Sequence, residues 1–246
     1  MEKLKINGVI NRKGPLVLVI MDGMGIGREN EGNAFFLART PNLAKLMKGP
    51  MYRTLRAHGT AVGLPGDGDM GNSEVGHNAL GAGRIFDQGA KLVNSAIQSG
   101  GVFTTPVWKE LVEKPAGAGK KMHFIGLLSD GNVHSHIEQL FSLIEKAADD
   151  GVKNLMVHPL LDGRDVPETS AHIYIGQLED FLVRFRERGL NYRIASGGGR
   201  MVTTMDRYEA DWDIVNRGWE AHVLGTARPF KSAMEALDTF RSEEPG

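Results

Sequence analysis

Hydrophobic residues along this chain fall into two alternating patterns. Short apolar runs rich in Leu, Ile, Val and Met occur at Leu16–Met21, Met122–Leu128, Asn154–Leu161 and Tyr192–Ala195, which is the length and composition of strands buried on both faces. Each runs straight into a polar, glycine-containing stretch: Asp22-Gly23, Ser129-Asp-Gly-Asn132, Asp162-Gly-Arg-Asp165 and Ser196-Gly-Gly-Gly-Arg200. Between them the period changes. Ile137, Leu140, Phe141, Ile144 and Ala148 recur as one face of a helix that stops at Gly151, and a second helix is predicted from about Glu168 to Arg188, with Pro167 suited to its first turn and Leu178, Phe181, Leu182 and Phe185 as its stripe. Strands alternating with helices predict a parallel α/β architecture, in which ligands collect outside the carboxyl ends of the strands. The composition changes near Gly81–Asp87, so a domain crossing is expected after residue 86, followed by a helical segment leading to Gly100-Gly101. Trp108, Trp212 and Trp219 have apolar neighbours at helical spacing and read as core or domain packing.

At 246 residues the chain makes one large domain or two small ones and can bury roughly 70 to 75% of its unfolded surface. A hydrophobic content of 41% and a charged content of 24% are those of an ordinary globular protein. A net charge of -1 supplies no basic field for nucleic acid or anionic lipid, so anion binding must come from local arginines. With no cysteine, disulfides, thiolate zinc sites and cysteine nucleophiles are excluded, and oxygen and imidazole groups remain as metal ligands. Leu16–Met21 is too short to span a bilayer, and nothing before it reads as a complete signal or transit peptide. The expectation is a cytoplasmic protein with neither a membrane nor a nucleic-acid partner.

The candidate chemistry lies in the strand-end loops and in Asp67–His77. Gly66-Asp-Gly-Asp-Met-Gly71 formally matches a dinucleotide fingerprint, but it follows Gly63-Leu-Pro65 rather than a strand, and its aspartates would repel a pyrophosphate. Asp22 reads either as a turn-former before Gly23 or as a ligand of a divalent cation. Ser73 reads either as a helix N-cap or as a phosphoryl acceptor, because the amides at a helix start stabilise an anion. His134-Ser-His136 could bind a metal, bind an oxyanion or form a loop pair with one histidine serving as a local hydrogen-bond donor. Arg164 and Asp165 set an anion-binding fork beside a possible general base, and Arg200 and Arg207 lie in and just after the next loop. Together with His134 they point to a small dianionic substrate, a phosphate ester bearing a carboxylate. His58, His77, His123, His158, His172 and His222 have no comparable context and read as structural.

Five ordered motifs resemble the cofactor-independent phosphoglycerate mutases, whose phosphatase-like domain is related to alkaline phosphatase. They are Val19–Gly23, Met70–Arg84, Leu128–His136, Leu161–Asp165, and Ser196–Arg200 with Met205-Asp-Arg207. The resemblance implies the N-terminal segment of a parallel-sheet phosphatase-like domain at 1–86 and an inserted α/β transferase domain, incomplete, at 87–246. It implies that Ser73 accepts the phosphoryl group and shares a metal with Asp22. His134, Arg164, Asp165, Arg200 and Arg207 would hold phosphoglycerate, with Asp165 the acid/base. The family interconverts 3-phosphoglycerate and 2-phosphoglycerate in glycolysis through a phosphoserine, using two divalent ions (Mn2+ first, with Co2+ or Mg2+ as alternatives) and no 2,3-bisphosphoglycerate. The full-length protein is expected to be a monomer. Members run to about twice this length, so the sequence is expected to be the N-terminal part of a larger protein, with little or no activity by itself. The competing readings are a metal-dependent phosphatase of the same superfamily and a non-catalytic phosphoglycerate-binding module.

Overall fold

The computed structural model describes residues 14–22, 24–205 and 209–244. The chain divides into two units, Met1–Leu55 and Arg56–Gly246. In the first, Leu16–Met21 takes no regular structure and stands open to water, Leu16 being 94% exposed. The strand expected there, buried on both faces, is not formed. A strand exists only through neighbours that satisfy its backbone N–H and C=O groups, and no ladder among the described residues includes this run. Two short helices follow: α1 (Ala34–Leu37), whose Phe36 N–H is accepted by Asn33 at 3.2 Å, and α2 (Pro41–Met47), opened by a proline at a position where an N–H is not needed.

The second unit starts with a 3-10 turn, Gly59–Val62, then α3 (Ser73–Ala82) and α4 (Gly89–Gln98). After these come α5 (Pro106–Ala118), β1 (Lys121–Leu128), α6 (Ile137–Asp149), β2 (Asn154–Leu161) and α7 (Ala171–Glu187). The chain then forms β3 (Asn191–Ile194), the two-residue β4 (Gly198–Gly199), α8 (Trp212–Trp219) continuing as one π turn (Glu220–Leu224), and α9 (Ala233–Glu243). The point 86/87, where the sequence reading puts a domain crossing, falls inside the second of these units. Residues on either side of that point are tied together: buried Gln88 donates from Nε2 to the carbonyls of Val62 at 2.9 Å and Val75 at 3.3 Å, and a Cβ added to Gly63 would lie 1.8 Å from the Phe86 carbonyl oxygen.

All ladders are parallel, as the strand–helix alternation predicts. β1 and β3 flank β2, and beyond the end of β3 the short β4 pairs with the last residues of β2, Leu160 and Leu161. β2 is buried from Leu155 to Leu160, as its unbroken apolar run requires of a central strand, whereas β1 exposes His123 and Ile125. α6 runs from Ile137, and Gly151, at φ 89°, ends the helical path: the N–H of Val152 returns to the Ala147 carbonyl at 3.0 Å. α7 begins at Ala171 rather than near Glu168, because the N–H and Oγ of Ser170 both donate to the Pro167 carbonyl. Pro167 thus opens a preceding turn instead of the helix. The core is shared by β2 and the helices, with Ile144, Leu155, Leu178 and Leu182 fully buried.

Trp108 joins that core and donates from Nε1 to Asp150 at 2.8 Å. Trp212 and Trp219 do not pack as expected, being 63% and 57% exposed. α8 instead makes its close approach through Gly218, where a Cβ would sit 2.5 Å from Thr204 Oγ1. The architecture predicts a sharp contrast in denaturant unfolding: Leu178→Ala is expected to cost about 2 to 5 kcal/mol by opening a cavity, whereas Leu18→Ala, at a 68% exposed position, is expected to stay within about 0.5 kcal/mol.

Candidate active site

Parallel strands deliver the loops after β1, β2 and β4 to one edge of the sheet, and there the charged residues meet. Asp162 follows β2 directly. Its Oδ1 accepts from the backbone N–H groups of Arg164 at 3.2 Å and Asp165 at 3.1 Å, closing the turn around Gly163, and from Arg200 Nη1 at 2.8 Å. Arg200 Nη1 also donates to Asp165 Oδ2 at 2.9 Å. This is a nearly dry arrangement, with the Arg200 and Asp162 side chains 7% and 1% exposed. Burial by itself would raise the Asp162 carboxyl, but hydrogen bonds from Ser129, from the turn and from Arg200 hold it below the usual range. Burial would likewise depress the Arg200 guanidinium, and the two carboxylates more than reverse this.

Asp165 has two basic side chains near it. Arg200 is one, and His134 Nε2, on a half-exposed ring, stands 3.8 Å from the same Asp165 Oδ2. The β1 loop reaches this position because Gly131 has no side chain: a Cβ there would lie 3.0 Å from both Cβ and O of Asp165. Asn132 next to it takes the left-handed conformation at φ 58° and donates from Nδ2 to Asp69 at 2.9 Å. That bond ties the Asp67–Gly71 strap, and with it the start of α3, to the loop carrying His134. His136 takes the local role foreseen for one histidine of the pair, as the N-cap of α6, although its Nδ1 accepts, from the Glu138 N–H.

Ser73 is the first residue of α3, not its cap. Asn72 caps the helix by accepting from Val75 N–H at 2.9 Å, so the simplest structural role for the serine is already filled by its neighbour. Ser73 is exposed, and the residues on either side of it, Asn72 and Glu74, line a cleft of about 230 Å³ with Asn132 and Val133. Arg164 is exposed on the Asp162 turn. Asp22 belongs to the other unit, and Arg207 lies outside the described residues.

The BPG-independent PGAM N-terminus family model matches residues 93–245. The chain belongs to this family. It is 54% identical to the 2,3-bisphosphoglycerate-independent phosphoglycerate mutase of Trypanosoma brucei brucei, matching 93% of this chain and 42% of that protein. With the enzyme of the same name from Nicotiana tabacum it shares 48% identity over 98% of this chain and 43% of that one. The crystal structure of Leishmania mexicana phosphoglycerate mutase at low cobalt concentration matches with a TM-score of 0.83 and 54% identity, over 92% of this chain and 41% of that one. This member of the family thus spans about two fifths of the length of these relatives.

Sequence reasoning left three histidines as structural that the fold links in one file. His123 Nδ1 lies 2.9 Å from His158 Nε2, His158 Nδ1 is 2.6 Å from Ser196 Oγ, and Ser196 Oγ is 2.7 Å from His222 Nδ1. His222 Nε2 ends the file 2.9 Å from Thr204 Oγ1. The available signal was His158 itself, an ionisable residue inside an otherwise apolar strand. Burial, then His123 and His222, push His158 down to about 4 from 6.5, and burial also lowers His222.

Two outcomes are expected in unfolding experiments. Asp162→Ala leaves Arg200 buried without its innermost partner and should cost about 3 to 5 kcal/mol. For His158 the sign is set by its depressed value: above pH 6.5 neither state is protonated there and stability is full. As pH falls towards about 4 the unfolded chain takes up a proton that the folded chain refuses. Denaturation midpoints measured across this window should show a loss reaching roughly 3 kcal/mol, and His158→Asn should flatten the slope.

Proposed function

We propose that this chain supplies the phosphoryl-accepting serine and the glycerate-holding loops of a 2,3-bisphosphoglycerate-independent phosphoglycerate mutase, an isomerase acting on 3-phosphoglycerate and 2-phosphoglycerate. The observation that carries the reading is the placement of Asp165 beside Arg200 and His134 at the strand ends, in a member of this family. Ser73 releases its hydroxyl proton to solvent as Asp165 takes one up, and the serine oxygen attacks the phosphorus of the ester. The bond from phosphorus to the glycerate oxygen breaks, and Asp165 gives that oxygen a proton. Exposed Arg164, with His134 and Arg207, keeps the glycerate in place while it turns. Asp165 then takes the proton of the other hydroxyl, and the phosphoryl group returns from Ser73 to that oxygen. Arg200 orients Asp165 through Nη1 and leaves the rest of its fork for the substrate carboxylate. No 2,3-bisphosphoglycerate is required, because the phosphoryl group of the substrate itself is the one returned.

The described residues do not complete a metal site. Among the described residues no group of three or more His, Asp or Glu could hold an ion. Asp22 and Ser73 would be two donors of a shell needing four to six. The two divalent ions of this reading, Mn2+ first and Co2+ or Mg2+ after it, would take their other donors from the remainder of the longer relatives' length. On the same reading residues 1–86 belong to the phosphatase-like domain and 87–246 to the inserted domain. The longer protein is a monomer, acting in glycolysis in the cytoplasm, without nucleic-acid or membrane partners. Among the described residues no helix is long and apolar enough to cross a membrane. A phosphoglycerate-binding module without catalysis is the second reading for the chain alone, favoured by the short donor set.

Calorimetry with 3-phosphoglycerate, with and without Mn2+, tests the site. Binding is expected, weakened at least tenfold by Arg164→Ala. An enolase-coupled assay is expected to show almost no turnover by this chain alone, and full turnover there would overturn the two-donor argument.

A further inference from the structure

Arg200 is carried by a turn under strain. Thr204 has φ 90°, a left-handed conformation that a β-branched side chain rarely adopts and that persists only where its surroundings over-determine it. Those surroundings are identifiable. Thr204 N–H donates to the Ile214 carbonyl at 2.8 Å, its hydroxyl meets His222 Nε2, and at the other end of the same turn Ser196 Oγ sits between His158 and His222. The turn is also tightly packed, against β2 and within itself, since a Cβ on Gly197 would lie 3.0 Å from the Pro159 carbonyl oxygen and one on Gly198 2.7 Å from Thr203 Oγ1.

We propose that His158, Ser196 and His222 are positioning residues for Arg200: their hydrogen-bonded file clasps the Ser196–Thr204 turn between β2 and the π turn, in the conformation that aims the guanidinium at Asp162 and Asp165. The proton count makes the clasp specific. Ser196 has one hydroxyl hydrogen and two imidazole nitrogens, both Nδ1, within 2.7 Å, so it donates to one and must accept from the other. With neutral rings, a proton on His158 Nδ1 therefore places that of His222 on Nε2, where it donates to Thr204; a proton on His222 Nδ1 places that of His158 on Nε2, where it donates to His123. The two histidines must hold opposite tautomers. The titratable groups facing His158 are His123 from β1 and His222 from the π turn, and both oppose its charging, as burial does; Ser196 and Thr204 add only hydroxyls. His158 and His222 therefore stay neutral around neutral pH. The clasp stands on this geometry alone, whereas its consequence for phosphoglycerate rests on the function proposed above.

The test uses the whole chain. Long-range 15N–1H correlation spectra of 15N-histidine-labelled protein at pH 7.5, assigned with single His→Gln variants, should show His158 and His222 in opposite tautomers; the same tautomer in both overturns the clasp. Amide exchange is the second readout. Ser196→Ala should speed exchange at least tenfold in 196–204 and 220–224 but not in 155–160, and Ser196→Thr, which keeps the hydroxyl, should restore it; unchanged exchange in Ser196→Ala overturns the proposal. In calorimetry Ser196→Ala should weaken 3-phosphoglycerate binding about tenfold, with rescue by Ser196→Thr. If the unmodified chain does not bind the ligand, the proposed function fails, while the tautomers and exchange rates still decide the clasp. If Ser196→Ala does not fold, the tautomers of the unmodified chain decide it.

Discussion

A guanidinium largely buried at the sheet edge has to be neutralised where it lies, and that requirement organises the loops around it. Arg200 meets it through a single nitrogen that donates to both Asp162 and Asp165. Removing such a cation from water costs several kcal/mol, which is recovered only with close, well-directed partners. Asp162 can be one because it ends β2 at a fixed register and closes its own turn, and Arg200 is held in place because its backbone N–H donates to the Leu161 carbonyl at 2.9 Å. Asp165 therefore has little freedom. The same network that neutralises Arg200 fixes the carboxylate to which the acid/base role is assigned.

The supports around this group are absences of side chain as much as contacts. Gly131 lets the β1 loop lie against Asp165, Gly198 admits Thr203, and Gly218 admits Thr204. Each is a close approach that a side chain at the glycine would block, and close packing is the condition under which buried hydrogen bonds keep their strength. The strained Thr204 and the imidazole file extend this scaffold away from the charged residues to the π turn. In the other direction, Asn132 and Asp69 extend it to the strap before Ser73. The chain thus brings the residues proposed to hold glycerate and the region of the serine into one unit, while Asp22 belongs to another.

Elements whose partners are close in the chain were legible without coordinates. β2 has the limits of its apolar run, α6 starts and buries the face its period predicted, and the polar loops at the strand ends do carry the charged cluster. Ser73 was located at a helix start, but only the structure shows that Asn72 takes the capping role. Leu16–Met21 has the composition of a strand and is not one here, since composition provides the side chains while pairing must come from elsewhere. The exposed tryptophans show the same limit: spacing made α8 amphipathic, yet the contact was decided by the space at Gly218.

What the sequence by itself determined was the alternation of strands and helices and, through the resemblance of five ordered motifs, the family. Local periodicity is enough for the alternation, because it depends on neighbours a few positions away. Tertiary structure alone decided that Arg200 is neutralised by Asp162 and Asp165, and that His158, Ser196 and His222 form a file. These groups are separated by 26 to 38 residues along the chain. A hydrogen bond across such a distance depends on register and loop path, which no local pattern specifies.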